Sequence, residues 1–366
     1  MTIQGAPQPG APRYDDAPRR YDALLVQSFG GPEGMADVVP FLENVTRGRN
    51  IPRGRLEEVA AHYEHFGGVS PINAQNRALI SALDGELREH GIDLPIYFGN
   101  RNWHPFLRDT LRQMHDDGVR EVLVFVTSAY SSYSGCRQYR EDLLRDLEAL
   151  GEPKMRFDKI RVFYNHPGFI APMARDLAGA LASLPAERRE SARVVFTAHS
   201  IPLAMAGGCA YERQLHETAR LVAAEADTER WQLAWQSRSG PPQVPWLEPD
   251  VLDVLDDLHR HGIADVVVVV PIGFISDHLE VRYDLDLEAQ HRARELGMTM
   301  IRVPTIGTDP AFVAMIRELI QERLAADPER RALGRFGPNH DVCPVNCCLR
   351  GEGRLVAAAE PERATA

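Results

Sequence analysis

The chain has 366 residues, of which 44% are hydrophobic and 25% charged, and it carries a net charge of −11. That length and balance suit a soluble globular protein of two lobes or one large α/β unit. The acidity excludes a nucleic-acid partner, which would select a basic face. Lys154 and Lys159 are the sole lysines, so cationic charge rests on arginines, whose planar forks match carboxylates.

Residues 1–20 (MTIQGAPQPGAPRYDDAPRR) lack the apolar core of a secretory signal and read as a flexible arm. Short β-branched runs then alternate with amphipathic stretches, the pattern of parallel sheets flanked by helices. Strands are predicted at 23–29, 95–100, 121–129, 193–198, 233–237, 265–274 and 300–306. Helices are predicted over Asn76–His90, Gln138–Leu150, Glu212–Ala226 and Asp309–Ala325. The longest apolar run, Val266 to Ile275, is about half of the roughly 20 residues a membrane helix needs, so no integral membrane segment is expected. A cytoplasmic location follows.

MHDDGVREVLVFV (114–126) and LHRHGIADVVVVV (258–270) share a pattern: helix end, Gly turn, buried strand. The opening strands LLVQSFGG and VVFTAHSIP also correspond. Two similar α/β halves are expected at 21–165 and 166–330, the alternative being that βα units simply look alike, with a cysteine-bearing tail at 331–366. Open α/β sheets bind ligands at the carboxyl ends of their strands, so the loops there are the candidate sites.

FGGPEG (29–34) is not a phosphate loop, because Pro32 removes a donor; it suits a turn that lays Phe29 flat against a ligand. FTAHSIP places His199 just past a strand, as a metal ligand or proton acceptor, or as half of a helix-capping His-Ser pair. Ser200 lacks the Gly-x-Ser-x-Gly elbow of a hydrolase. In PIGFISDHLEVRYDLDLEAQ (271–290), Asp277, Glu280, Asp284 and Glu288 recur every three or four residues, one row on a helix face. Such a row is a solvated acidic face or a site for a divalent metal such as Fe2+, able to pass ions or protons along. Trp235 and Trp246 flank a Pro/Gly loop and either cover a flat apolar ligand or pack in the core. HDVCPVNCCLR crowds Cys343, Cys347 and Cys348 into six residues; in a reducing compartment this reads as metal binding rather than disulfides.

The motifs LLVQSFGGP, GGVSPIN, FTAHSIP, WQS…PWLEPDV and PIGFISDHLEVRYDLDLE, in this order across residues 22–325, resemble the ferrochelatase family, which inserts Fe2+ into a porphyrin in haem synthesis. The resemblance implies the two-lobed chelatase fold, with two similar Rossmann-like lobes and the porphyrin in the cleft between them. It implies that His199 and Glu280 bind the metal and accept protons, with Asp284 and Glu288 extending the acidic row. Ser70, Tyr139 and Arg47 match porphyrin-contacting positions, and Phe29 and Trp246 are expected to line the ring. Soluble members often carry Tyr where this chain has Phe29, so weaker product binding is expected. Some members hold a 2Fe-2S cluster through one internal and three C-terminal cysteines, which here are Cys136, Cys343, Cys347 and Cys348. Cys209 could replace one of these, and a tetrahedral Zn2+ site would use the same ligands.

The family divides between protoporphyrin IX and coproporphyrin III as substrate. No hydrophobic segment follows residue 325 and the ends read as flexible and polar, so coproporphyrin III is expected, its propionates meeting arginines such as those of RGRNIPRGR (47–55). Protoporphyrin IX is the alternative, followed by cobalt or nickel insertion into sirohydrochlorin and a non-catalytic porphyrin or iron–sulfur sensor. Expected partners are the porphyrin, an iron donor and a downstream haem-pathway enzyme.

Overall fold

The computed structural model describes residues 14–48, 51–151, 153–344 and 346–351. Two four-stranded sheets organise them. The first contains β1 (Ala23–Ser28), β2 (Ile96–Asn100), β3 (Glu121–Val126) and β4 (Arg156–Lys159) in the order β2-β1-β3-β4. The second contains β5 (Arg193–His199), β6 (Trp231–Gln236), β7 (Val266–Val270) and β8 (Thr299–Arg302) in the order β6-β5-β7-β8. Every neighbouring pair is parallel, and the two orders correspond strand for strand. This is the two-lobed α/β architecture expected from the internal repeat.

Helices on both faces explain the near-continuous apolar strands. All five valines of β7 are buried. That strand ends at Val270, short of the expected 274, because Pro271 has no N–H to continue a ladder. β4 is an element the sequence pattern did not reveal: Phe157 is its single apolar residue among Arg156, Asp158 and Lys159, and none of the four is fully buried, as befits a sheet edge. The helix expected from Asn76 begins at Ile72, one turn earlier, directly after Pro71.

The largest apolar cluster contains Leu24 and Phe125 from the first sheet, Phe196 and Val268 from the second, and Phe169 and Phe312 from helices Pro167–Ala182 and Pro310–Leu324. The two halves therefore share one core. A buried bidentate ion pair reinforces it: Arg161 meets Glu322 of the last helix at 2.7 and 2.8 Å.

Beyond that helix the chain stays bound to the body, contrary to the flexible end expected from its polarity. The Asn165 side chain donates to the carbonyls of Leu333 and Gly337, and the Leu333 amide donates back to Asn165. Asp341 accepts from Arg330 at 2.9 Å and lies 3.4 Å from Arg323. The later part of the expected N-terminal arm docks here too, with the Tyr14 hydroxyl donating to Pro338. Satisfied charges, not apolar residues, hold these ends, which is why hydropathy did not show them. Residues 1–13 and 352–366 lie outside the described residues.

Candidate active site

His199 is the last residue of β5, and its carbonyl accepts from the Tyr211 hydroxyl at 3.0 Å. Its Nδ1 lies 2.5 Å from the Ser200 carbonyl. A carbonyl only accepts, so Nδ1 carries a proton, and in the neutral ring Nε2 holds the lone pair. That Nε2 faces Glu280 Oε2 at 3.7 Å. Glu280 sits in the short turn Leu279–Val281, delivered by the loop after β7. The loop comes this close because of Gly273, whose amide donates to Thr197; a Cβ there would stand 2.6 Å from the Ala198 Cβ.

From Arg282 to Ala289 the chain forms a π-helix, whose i→i+5 bonding widens the turn. Such segments concentrate at functional sites because they re-aim side chains. Asp284 accepts from the Ser237 hydroxyl and, at 3.2 Å, from the Gln236 amide, both at the end of β6. Burial pushes the Asp284 carboxyl up to about 7, and the charges of Glu280 and Glu288 add to the rise against those two hydrogen bonds. Glu288 is raised as well, through burial and then Asp250.

The row is therefore Glu280, Asp284 and Glu288. Asp277 does not belong to it, contrary to the helical reading. It precedes the helical segment and pairs with Arg302 at 3.1 Å, and Arg302 also holds Asp286 at 2.6 Å. The helix expected through all four carboxylates is one short turn followed by the π-helix.

On the first half, Phe29 is 39% exposed just beyond β1, with its ring 6.3 Å from Phe41 and 5.8 Å from the Arg101 guanidinium. Ser70 and Tyr139 are only 4% and 5% exposed. Ser70 packs against Gly31, where a Cβ would stand 2.6 Å away; Tyr139 lies in an apolar cluster under Arg101, 4.7 Å from its ring. Arg101 is in turn held by Asp142 at 2.5 Å. Both side chains are thus buried, with little surface open to solvent. Arg47 is exposed just after helix Met35–Val45, and Arg49 and Asn50 of the arginine-rich stretch lie outside the described residues. Trp235 packs in the core against Tyr211, whereas Trp246 is half-buried with its indole N–H unpaired and its backbone bridged to Pro202.

The two halves meet over this site. His62 of helix Arg53–Glu64 stacks on Tyr283 of the π-helix, and Leu279 joins a cluster with Phe41 and Tyr63.

The cysteines converge elsewhere. All five are free thiols. Cys136 lies in a π-turn, Tyr133–Arg137, which follows β3 as the π-helix follows β7. Cys136, Cys347 and His340 border the Cys343 thiol, Cys136 and Cys347 border that of Cys348, and the Cys347 and Cys348 sulfurs lie 3.4 Å apart. His340, Cys343 and Cys347 bring ligand atoms within 4.8 Å of one another. Cys209 instead donates to the Met205 carbonyl at 3.3 Å. Four thiols converging without a disulfide are a donor set suited to a soft metal centre.

Residues 21–324 match the model of the family described as Ferrochelatase. The chain belongs to the ferrochelatase family. A protein of Rhodopirellula baltica named ferrochelatase is 54% identical over 345 residues, covering 94% of this chain and 98% of that protein. A Streptomyces coelicolor protein named coproporphyrin III ferrochelatase is 53% identical over 361 residues, covering 92% of this chain and 96% of its own. Among solved structures, SirB from Bacillus subtilis with Fe3+ superposes with a TM-score of 0.51 at 14% identity, over 84% of this chain and all of that one, a likeness of fold. No helix among the described residues is long and apolar enough to cross a membrane.

Sequence reasoning passed over four residues that the fold brings against the expected ones. Gln236 and Ser237 grip Asp284, and their place just after β6 was the available signal. Arg101 braces Phe29 and Tyr139 from the loop after β2, again a strand end. His340 lies three residues before Cys343, a ligand-like spacing.

Proposed function

We propose that this enzyme inserts Fe2+ into coproporphyrin III, forming the iron porphyrin that leads to haem. The observation that carries this reading is the His199–Glu280 pair at 3.7 Å, in which the imidazole Nε2 faces the carboxylate. Its relatives' names support the choice of tetrapyrrole.

Insertion replaces two pyrrole N–H protons with one divalent ion and strips that ion of water. His199 Nε2 takes a pyrrole proton, while Glu280 offers oxygen to the incoming metal or receives the second proton. Asp284, with a carboxyl near 7, exchanges protons readily at physiological pH and passes them along the π-helix to Glu288. Phe29 forms the opposite wall. Binding strain that bends the macrocycle against it would expose the nitrogen lone pairs. Ser70 and Tyr139 support that wall from behind, Trp246 borders the cleft from the second half, and Arg47 is available to a propionate. Residues 21–165 and 166–330 act as the two lobes, in the cytoplasm.

We assign Cys136, Cys343, Cys347 and Cys348 to a 2Fe-2S cluster. Bound there, it would cross-link the C-terminal tail to the π-turn of the first half. The Arg137 side chain, which donates to the Cys347 carbonyl at 3.2 Å, supports the same attachment.

Anaerobic Fe2+ insertion followed by porphyrin absorbance, with coproporphyrin III and protoporphyrin IX in parallel, tests the reading. Faster coproporphyrin turnover is expected. Faster protoporphyrin turnover would retain the chelatase and replace the substrate; no turnover of either would favour sirohydrochlorin or a sensor.

A further inference from the structure

Five donors surround the cysteine centre, one more than a 2Fe-2S cluster requires. His340 is the extra one. Its ring nitrogen shares a 4.8 Å triangle with the sulfurs of Cys343 and Cys347. It also borders the Cys343 thiol.

The most strained donor is Cys348. Neighbouring residues in extended chain point to opposite sides, so Cys347 and Cys348 reach one centre only if the backbone turns sharply between them. It does so by placing Cys348 at φ +55°, in the left-handed region that residues with a Cβ rarely adopt. Cys348 therefore approaches the centre at the expense of its backbone, while His340 lies near it without such strain.

Resting on the cluster reading above, we propose that His340 is an alternative ligand of this centre, able to take the place of Cys348. In the exchange, the Cys348 thiolate leaves its iron and takes a proton from solvent, and neutral His340 binds through a ring-nitrogen lone pair. No electron is transferred. The centre loses one negative charge, and substitution of imidazole for thiolate raises the reduction potential of such clusters.

The test uses full-length protein, purified anaerobically or reconstituted with iron and sulfide. Its readouts are iron and acid-labile sulfide per chain, the midpoint potential, and nitrogen couplings in the electron paramagnetic resonance of the reduced state. Cys348→Gly is the informative variant, since glycine accepts φ +55° without strain. It should keep iron and sulfide near wild type, show a higher potential and gain a nitrogen coupling. His340→Ala alone should leave the cluster in place, and the double variant should lose it. Loss of the cluster from Cys348→Gly alone, while wild type and His340→Ala keep theirs, would overturn this inference and leave the cluster reading standing. So would a double variant as fully loaded as Cys348→Gly. Wild-type protein that takes up neither iron nor sulfide would overturn both readings.

Discussion

The rings of His62 and Tyr283 lie 4.0 Å apart and 4° from parallel, one from the first half and one from the π-helix of the second. This stack spans the mouth of the site and ties the π-helix to helix Arg53–Glu64. Burial, and then Arg55 and His65, hold the His62 imidazole below its ordinary 6.5. The folded chain therefore binds fewer protons than the unfolded one just below pH 6.5, and the contact weakens as pH falls through that range. His62→Ala should speed hydrogen exchange in residues 282–289 at neutral pH. In the wild type the same segment should begin to exchange faster below about pH 6.5. Unchanged protection in the variant would mean that the stack does not hold the π-helix.

Replacing His199 with Ala removes the proton acceptor nearest Glu280 and leaves the strand intact. Turnover should fall about 10²–10⁴-fold. Coproporphyrin affinity, read by fluorescence quenching, should change little, because Phe29 and the wall behind it remain. A parallel loss of affinity would make His199 a binding residue instead.

The Asp284 carboxyl titrates near 7 in the folded chain and near 3.8 when unfolded. Between these values the folded state holds the extra proton, so this group's contribution to stability is present below about pH 3.8 and is lost as pH rises toward 7. Asp284→Asn should therefore raise stability at pH 8, by about 1–3 kcal/mol after allowance for partial exposure, and leave it unchanged below pH 4. Denaturant unfolding at the two pH values reads this directly. The variant should also flatten the rise of turnover through neutral pH.

Phe29→Tyr adds a hydroxyl to a ring already partly in solvent, so stability should stay within about 0.5 kcal/mol. The new oxygen can ligate product iron from the face opposite His199. Slower product release and a shifted product absorbance are expected; identical spectra would show that the ring lies too far from the metal.

Gly273→Ala would put a methyl 2.6 Å from the Ala198 Cβ, between two packed backbones with no flexible side chain to yield. A loss of about 1–3 kcal/mol is expected, with lower turnover as Glu280 shifts away from His199. Thermal melts and steady-state assays on the same preparation separate the two effects.

Much of this chain's function is written in local pattern. Alternation of β-branched runs with helical stretches is enforced residue by residue, by burial on two faces and by 3.6-residue periodicity, so the paired α/β halves could be read directly. His199 and Glu280 stood out for a related reason: one ends a strand and the other lies in the segment after a strand, where α/β folds place their ligands.

Contacts between distant segments decided the rest. Asp277 and Asp284 have the same chemistry and lie seven residues apart, yet Arg302 neutralises one while Ser237 and Gln236 bury the other. The docking of the tail, and the approach of Cys136 to Cys343 and Cys348, arise in the same way. Periodicity reports which face of an element is apolar. It carries no record of which polar group from elsewhere in the chain will meet a given charge, and that encounter, made only on folding, sets the charge's pKa and its role.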